Sequence, residues 1–276
     1  MSPLKQVRFA LEAYRNALDL INRQHWWRYA LAPFILKLIA VVIMIALAIT
    51  VQDQIYQLIK EAIAHSDIEW VRQLGEQLED KDSLLAVIVS WAIHFSLWMI
   101  SMKVNKYLAL ILLAPFLAWM AEKTEDVIGQ GRGKTTIATW IKNALRGALI
   151  SLCYAFLELM AVIALFIAGL LPVFGGLLAP VLLILGALVS FYFYGATFLD
   201  YGCERMNWSI AKSMRMNLSW KYAAVTLGAL HAFFFGLLGF LPFVGEWLAI
   251  SLIPMISVVA GVLLFQNLMQ TRNVGP

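Results

Sequence analysis

Two proline–glycine bends at matching positions constrain this chain more than any other feature. The first is Gly169-Leu-Leu-Pro-Val-Phe-Gly175, and the second, 70 residues later, is Gly239-Phe-Leu-Pro-Phe-Val-Gly245. Proline removes a backbone donor and clashes with the preceding helical turn, and glycine allows the left-handed conformation that ends a helix. Each bend therefore predicts the tip of an antiparallel helical hairpin. We place hairpin 1 at 147–199 and hairpin 2 at 222–268.

The two predicted tips carry no charge before Glu246. A turn that crosses a bilayer and meets water is usually polar, whereas backbone groups freed inside lipid need cover from protein. We therefore expect both hairpins to penetrate the membrane only partly and to return the chain to the cytosolic face.

The composition is that of a membrane protein. Of 276 residues, 62% are hydrophobic and 14% are charged, which is too apolar for a soluble domain. Several nearly charge-free stretches reach the roughly 20 residues that cross about 30 Å of hydrocarbon. We predict an all-α integral membrane protein with two long transmembrane helices, about 29–51 and within 83–121. A straight helix over 83–121 would be about 58 Å long, so we expect it to tilt or to break near Lys103, Lys106 or Pro115.

Amphipathic segments lie outside these spans. In 1–28 the apolar residues recur every three or four positions, which predicts a helix lying in the interface against anionic lipid. The alternative is a helix packed on a partner subunit or on the protein's own loops. The apolar stripe predicted in 1–28 is Leu4, Val7, Leu11, Tyr14, Leu18 and Ile21.

Residues 52–83 carry eight acids. They predict extramembrane helices on the side of the membrane opposite to the basic segments.

The basic residues fix the predicted topology. Segment 1–28 and the predicted loops 122–146 and 200–221 are rich in Lys and Arg, and all three reach the cytoplasm if both hairpins begin and end there. We therefore predict a single domain over 1–276 with cytoplasmic termini. The net charge of +4 reports this orientation rather than a nucleic-acid partner.

Few polar residues lie within the apolar segments. Glu158 is near the centre of one, so it faces either a wet cavity or a hydrogen-bonding neighbour. Lys103 and Lys106 either attract an anion or mark where a helix leaves the membrane. Asp200 either caps the following turn or pairs with Arg205. The sequence contains no recognisable catalytic triad, metal site or cofactor motif, so we expect that the protein is not an enzyme.

Two passages resemble a known family. Leu113-Ala-Pro-Phe-Leu-Ala-Trp-Met-Ala-Glu-Lys-Thr-Glu125 is similar to the "APFxxxxAEKxE" signature of the CysZ family, sulfate permeases related to the eukaryotic etoposide-induced 2.4 proteins. Phe198-Leu-Asp-Tyr201, followed by Arg205, resembles a second hallmark. The resemblance implies a bacterial inner-membrane protein with partly penetrating hairpins, assembly into homo-oligomers, and passage of sulfate toward cysteine synthesis.

The chain departs from this family before its first membrane helix. The permeases have a Pro-Gly-Leu-Arg-Arg-type stretch there, in which a helix N-terminus and paired arginines hold the anion. Here the run is Gln24-His-Trp-Trp-Arg-Tyr29, so only Arg28 matches and Trp27 replaces the other arginine. Losing one charge-assisted contact weakens binding by roughly 1.5–3 kcal/mol. The departure favours an alternative function, a membrane scaffold or lipid-remodelling protein without transport. In the permease hypothesis Arg28, Lys103 and Lys106 gather the anion.

Overall fold

The computed structural model describes residues 1–36, 38–39, 42, 110–129, 136–170, 179–241 and 245–273. Every element among them is helical, as predicted for an all-α membrane protein. The chain forms two compact units, Met1–Lys37 with Ala109–Pro276 and Leu38–Leu108. Nearly all described residues belong to the first unit. The acidic segment 52–83 lies outside the described residues, and the single-domain organisation stays a prediction.

The first helix, α1 (Pro3–Arg23), begins with proline in its first turn, where no backbone donor is needed. Its buried face differs from the predicted apolar stripe, because Leu4 is 82% exposed and Leu11 is 49% exposed. Small side chains allow a closer approach than leucine does, so the alanines turn inward. The buried residues of α1 are Gln6, Ala10, Ala13, Tyr14, Ala17 and Ile21.

Helix α1 packs on the helices of the protein's own hairpin 2, whereas the alternative interpretation expected a partner subunit or the protein's own loops. The Tyr14 ring stacks on Phe234 at 5.3 Å, and its hydroxyl lies 3.4 Å from Ser257 Oγ. Burial raises the pKa of Tyr14 to about 12, so its hydroxyl is neutral at physiological pH. The predicted position of α1 against lipid stays a prediction.

A 3-10 helix follows at Trp26–Ala30 and residues 31–36 are helical. Residues 110–127 form helix α2, which runs through Pro115 without a break and continues past its predicted end at Ala121. The Thr124 hydroxyl donates to the Met120 carbonyl oxygen within this last part. The helix is followed by Gly129, whose φ of 73° is the left-handed conformation typical of helix ends.

Hairpin 1 consists of α3 (Ile137–Leu170) and α4 (Ala179–Arg205). The helices are antiparallel, because Glu158 contacts Ser190 and Arg146 contacts Asp200. The hairpin is longer than the predicted 147–199 at both ends. The segments 122–146 and 200–221 were predicted as basic loops, and that prediction is wrong for most of their length. Charge there marks the edge of the apolar segments, and a helix can continue into water beyond that edge.

Hairpin 2 consists of α6 (Lys221–Gly239) and α7 (Gly245–Asn273), preceded by the short helix α5 (Ile210–Ser219). His231 Nδ1 and Ser257 Oγ lie 2.9 Å apart, so a hydrogen bond joins the two helices of the hairpin. The predicted range was 222–268, and the two helices begin one residue before it and end five residues after it.

The predicted bends are described only in part, since Pro172, Gly175 and Pro242 lie outside the described residues. Gly245 is described, and the prediction that it takes a left-handed conformation to end a helix is wrong. It begins α7 without a positive φ. A side chain there would collide with the Leu238 carbonyl oxygen, so glycine serves close approach of the two helices.

Glycines also bring α4 against α6. A Cβ on Gly195 would collide with the Ala224 carbonyl oxygen, and one on Gly228 with the Phe191 carbonyl oxygen. Such small-residue crossings are typical of helix packing in membranes. Among the described helices, α3, α4, α6 and α7 are long and apolar enough to cross a membrane. Helix α7 is the most enclosed, since α1, α4 and α6 all pack on it.

Candidate functional site

Two cationic side chains donate hydrogen bonds to one hydroxyl group. One of them is Arg28, which was predicted to bind an anion. The Arg28 Nη2 and the Lys123 Nζ each donate to the Tyr29 hydroxyl oxygen at 3.0 Å. Arg28 and Tyr29 belong to the 3-10 helix, and Lys123 belongs to α2. The fold therefore joins residues 94 positions apart in the sequence.

Aromatic rings hold Lys123 in this position. Its ammonium nitrogen lies 4.7 Å from the Tyr29 ring centre, 4.9 Å from that of Trp119 and 6.0 Å from that of Trp26. The Tyr29 and Trp119 rings pack edge to face at 4.8 Å. Cations are attracted to aromatic faces within about 6 Å, so the ammonium is positioned without a carboxylate.

No carboxylate in the described parts of the chain neutralises the charge of this pair. Within the part of the chain that the structure describes, neither Arg28 nor Lys123 forms an ion pair with a carboxylate. Arg28 is exposed and Lys123 is half-buried. The arrangement presents two positive charges and one phenol to the outside, which suits an anion.

A second polar cluster is buried where α3, α4 and α5 meet. Arg146 of α3 forms a bidentate pair with Asp200 of α4, with Nη1–Oδ2 at 2.7 Å and Nη2–Oδ1 at 3.2 Å. The same guanidinium donates to Ser213 Oγ of α5 at 2.7 Å and to the Trp208 carbonyl oxygen at 3.3 Å. One arginine thus connects both helices of hairpin 1 to α5.

Arg205 has a different partner from the one predicted. Its Nε donates to Glu125 Oε2 of α2 at 2.8 Å, and both side chains are buried. The predicted Asp200–Arg205 pair and the predicted helix cap are both wrong, because Asp200 faces Arg146 across the hairpin. Residues five apart on one helix lie on different faces, so Asp200 and Arg205 point to different neighbours.

Counting only residues that the structure describes, the buried cluster holds more acids than bases. Glu204 Oε2 lies 3.9 Å from Arg146 Nη1, too far for a hydrogen bond. Among the described residues, the Glu204 Oε2, Glu125 Oε1 and Tyr201 hydroxyl oxygen are buried without a hydrogen-bond partner. Three carboxylates therefore share two guanidiniums, and Glu204 is the acid without a close pair.

The family comparison connects these two sites. The sequence profile of the family described as "Sulfate transporter CysZ/Etoposide-induced protein 2.4" matches residues 13–248. The chain belongs to this CysZ/etoposide-induced 2.4 family. No curated protein matches the chain.

The two passages that carry the CysZ resemblance touch each other in the fold. The Glu125–Arg205 ion pair joins the end of the first passage to the arginine that follows the second. Lys123, two residues before Glu125, reaches the other site. The family motif thus supplies α2 with one residue for the exposed cationic pair and one for the buried cluster.

Glu158 is buried on α3 and accepts a hydrogen bond from Ser190 of α4 at 2.7 Å. This is the hydrogen-bonding neighbour that one of its two interpretations expected, while the wet cavity of the other stays a prediction. Lys103 and Lys106 lie outside the described residues. No group of three or more potential metal ligands occurs among the residues described.

Sequence reasoning missed Lys123, Arg146 and Glu204. Nothing in local spacing joins Lys123 to Arg28. Its place inside the CysZ signature, next to the apolar part of α2, is the one signal that could have drawn attention to it.

Proposed function

We propose that this protein lets a small oxyanion, sulfate first, cross the bacterial inner membrane passively and without a cofactor. The observation that supports this proposal most is the convergence of Arg28 and Lys123 on the Tyr29 hydroxyl, at 3.0 Å each. Guanidinium and ammonium groups donate strong charge-assisted hydrogen bonds to oxyanions. Two cations at one point match the charge of sulfate.

Lys123 supplies the positive charge that the sequence lacks at Trp27. The permeases carry a second arginine at that position, and its absence argued against tight sulfate binding. In the fold, Trp27 is exposed and its indole nitrogen lies 3.5 Å from Asn22 Oδ1. The ammonium from α2 takes the role of the second cation beside Arg28.

The exposure of Arg28 suits a site that binds and releases an ion rather than one that holds it tightly. An ion must bind well enough to reach the pathway and weakly enough to leave it. An exposed guanidinium with a half-buried ammonium meets both conditions, because solvent screens the pair in part. Lys103 and Lys106 would raise the local anion concentration further along, and partly penetrating hairpins would enclose the path.

The remaining elements of the proposal concern the assembly. We place both termini in the cytoplasm, since the basic segments favour that side, and we propose a homo-oligomer surrounded by membrane lipid. Arg28 and Lys123 then collect the anion at the membrane surface.

Sulfate flux into proteoliposomes tests the proposal. Labelled sulfate should enter vesicles that hold the native chain faster than empty vesicles, and Arg28→Ala or Lys123→Met should reduce that rate at least several-fold. Lys212→Met is the matched control, because Lys212 is likewise a lysine held over a ring, 4.3 Å from the Trp208 centre, and it is exposed. Flux equal to that of empty vesicles would overturn transport and leave the scaffold function.

A further inference from the structure

The residues that follow Arg28 present an apolar surface to the outside. In the next helical turns Leu31 is 65% exposed, Phe34 is 38% exposed and Ile35 is 50% exposed. Trp27, just before Arg28, is 40% exposed. A cationic pair thus lies at the edge of an exposed apolar strip on the same stretch of chain. Tryptophan and tyrosine at such a boundary are typical of the headgroup level of a bilayer.

We propose that Arg28, Lys123 and Tyr29 bind the phosphate of an anionic phospholipid whose acyl chains lie along Leu31 and Ile35. This inference deepens the proposed function, because it rests on the same cationic pair and makes lipid a competitor of the free oxyanion. It concerns binding and not flux, so the two claims fail separately.

The donors suit a phosphate diester. The Tyr29 hydroxyl oxygen accepts from Arg28 and from Lys123, and among the described residues nothing accepts its own hydrogen. That hydrogen can be donated to a bound anion. A phosphate diester has two non-ester oxygens, and these can accept from the guanidinium, the ammonium and the phenol together.

The aromatic rings make the site ready before any lipid arrives. Trp26 is fully buried and Trp119 packs edge to face on Tyr29, so the ammonium of Lys123 stays in place between the rings. A side chain held in its bound position loses little conformational entropy when a ligand binds. The site therefore needs no rearrangement to accept a headgroup.

The apolar strip distinguishes a lipid from a free ion. Sulfate or glycerol phosphate can use only the three donors, whereas acyl chains also cover Leu31 and Ile35. Burial of apolar surface stabilises binding in proportion to its area. A lipid should therefore bind more tightly than the same phosphate without chains.

Equilibrium binding of short-chain phosphatidylglycerol to the purified full chain in detergent tests the inference, with dioctanoyl phosphatidylcholine, glycerol phosphate and sulfate as comparison ligands. Phosphatidylglycerol should bind the native chain at least ten-fold more tightly than it binds the Arg28→Gln, Lys123→Met double variant. It should also bind ten-fold more tightly than glycerol phosphate, and excess sulfate should displace it. Lys212→Met should leave each affinity unchanged.

Two single variants separate the contribution of the acyl chains from that of the charges and do not depend on the folding of the double variant. Leu31→Ser should weaken the binding of phosphatidylglycerol but leave the binding of glycerol phosphate unchanged. Arg28→Gln alone changes an exposed residue, so it reports on binding even if the double variant does not fold. Equal phosphatidylglycerol affinity for the native chain and for Arg28→Gln would overturn the lipid site. Equal affinity for phosphatidylglycerol and glycerol phosphate would overturn the role of the apolar strip and reduce the site to one for small anions.

Discussion

Arg146 and Asp200 face each other across hairpin 1, with their closest atoms 2.7 Å apart. The Asp200 side chain is 2% exposed and the Arg146 side chain is 14% exposed. A buried charge without its partner is far less stable than the pair. The bidentate contact therefore holds the first part of α3 against the last part of α4. The same guanidinium also donates to Ser213, which holds this end of the hairpin against α5.

Replacement of Arg146 by alanine should destabilise the protein strongly. The change leaves Asp200 buried without a partner, a loss of roughly 3–5 kcal/mol for a pair of this kind. Thermal unfolding in detergent should show a clearly lower midpoint. Arg8→Ala is the control, because Arg8 forms an exposed pair with Glu12 at 2.7 Å and such pairs contribute little. Equal midpoints for the two variants would show that the buried pair does not hold the hairpin.

Glu204→Gln should behave in the opposite way. Glu204 Oε2 has no hydrogen-bond partner among the described residues, and the cluster has one more carboxylate than guanidiniums. Removing that charge should leave the unfolding midpoint unchanged or raise it, whereas Asp200→Asn should lower it. A large loss of stability in Glu204→Gln would mean that its carboxylate has a favourable partner.

The crossing of α4 and α6 predicts a sharp size limit. Gly195→Ala places a methyl group against the Ala224 carbonyl oxygen, so the helices must separate and the yield of folded protein should fall. Gly236→Ala is the matched control, because nothing lies within 4 Å of the added atom and alanine favours a helix over glycine. Size-exclusion chromatography should show aggregation of the first variant and a normal peak for the second. Normal behaviour of Gly195→Ala would contradict the close contact.

The contact between α1 and hairpin 2 supports the prediction that this hairpin penetrates the membrane only partly. The Thr271 hydroxyl contacts Met1 Sδ at 3.7 Å, and Ser257 contacts Tyr14. Helix α1 thus runs beside the second half of α7, and its outer face carries Lys5 and Arg8, both exposed. Charged side chains are costly in hydrocarbon, so we expect this half of α7 to lie near a membrane surface, which the proposed topology takes as the cytosolic one.

Cysteine labelling tests the depth of the predicted bends. Phe174→Cys and Phe243→Cys, which lie outside the described residues, should resist a membrane-impermeant maleimide added from the external side. Rapid external labelling at both positions would mean that the hairpins cross completely. A cysteine introduced at Asn207, in the turn before α5, should react from the cytosolic side and serves as the control for reagent activity.

The hairpins could be predicted from sequence because their signal is local. Apolar length and the repeated proline–glycine pattern predict four of the helices, although α7 continues five residues beyond the predicted end of hairpin 2. Helix ends near charge were less predictable. Arg146 was placed in a loop because a charge was taken as a boundary, whereas its partner Asp200 allows it to remain in α3.

The candidate site was predictable only in part. Arg28 could be identified from its resemblance to the permeases, but Lys123 reaches it from α2 through a tertiary contact that no sequence spacing encodes. The face of α1 shows the same limit. Hydrophobic periodicity favoured Leu4 and Leu11, whereas close packing on α6 and α7 selected Ala10 and Ala13 instead.

Equilibrium binding of sulfate to the purified protein is the direct test of the Arg28 and Lys123 pair as an oxyanion site. If Arg28 and Lys123 together hold the oxyanion, Arg28→Ala and Lys123→Met should each weaken binding by at least about ten-fold, since a charge-assisted contact contributes roughly 1.5–3 kcal/mol. Lys212→Met should bind sulfate as the native chain does. A native chain that binds sulfate no better than the Arg28→Ala, Lys123→Met double variant would contradict the account.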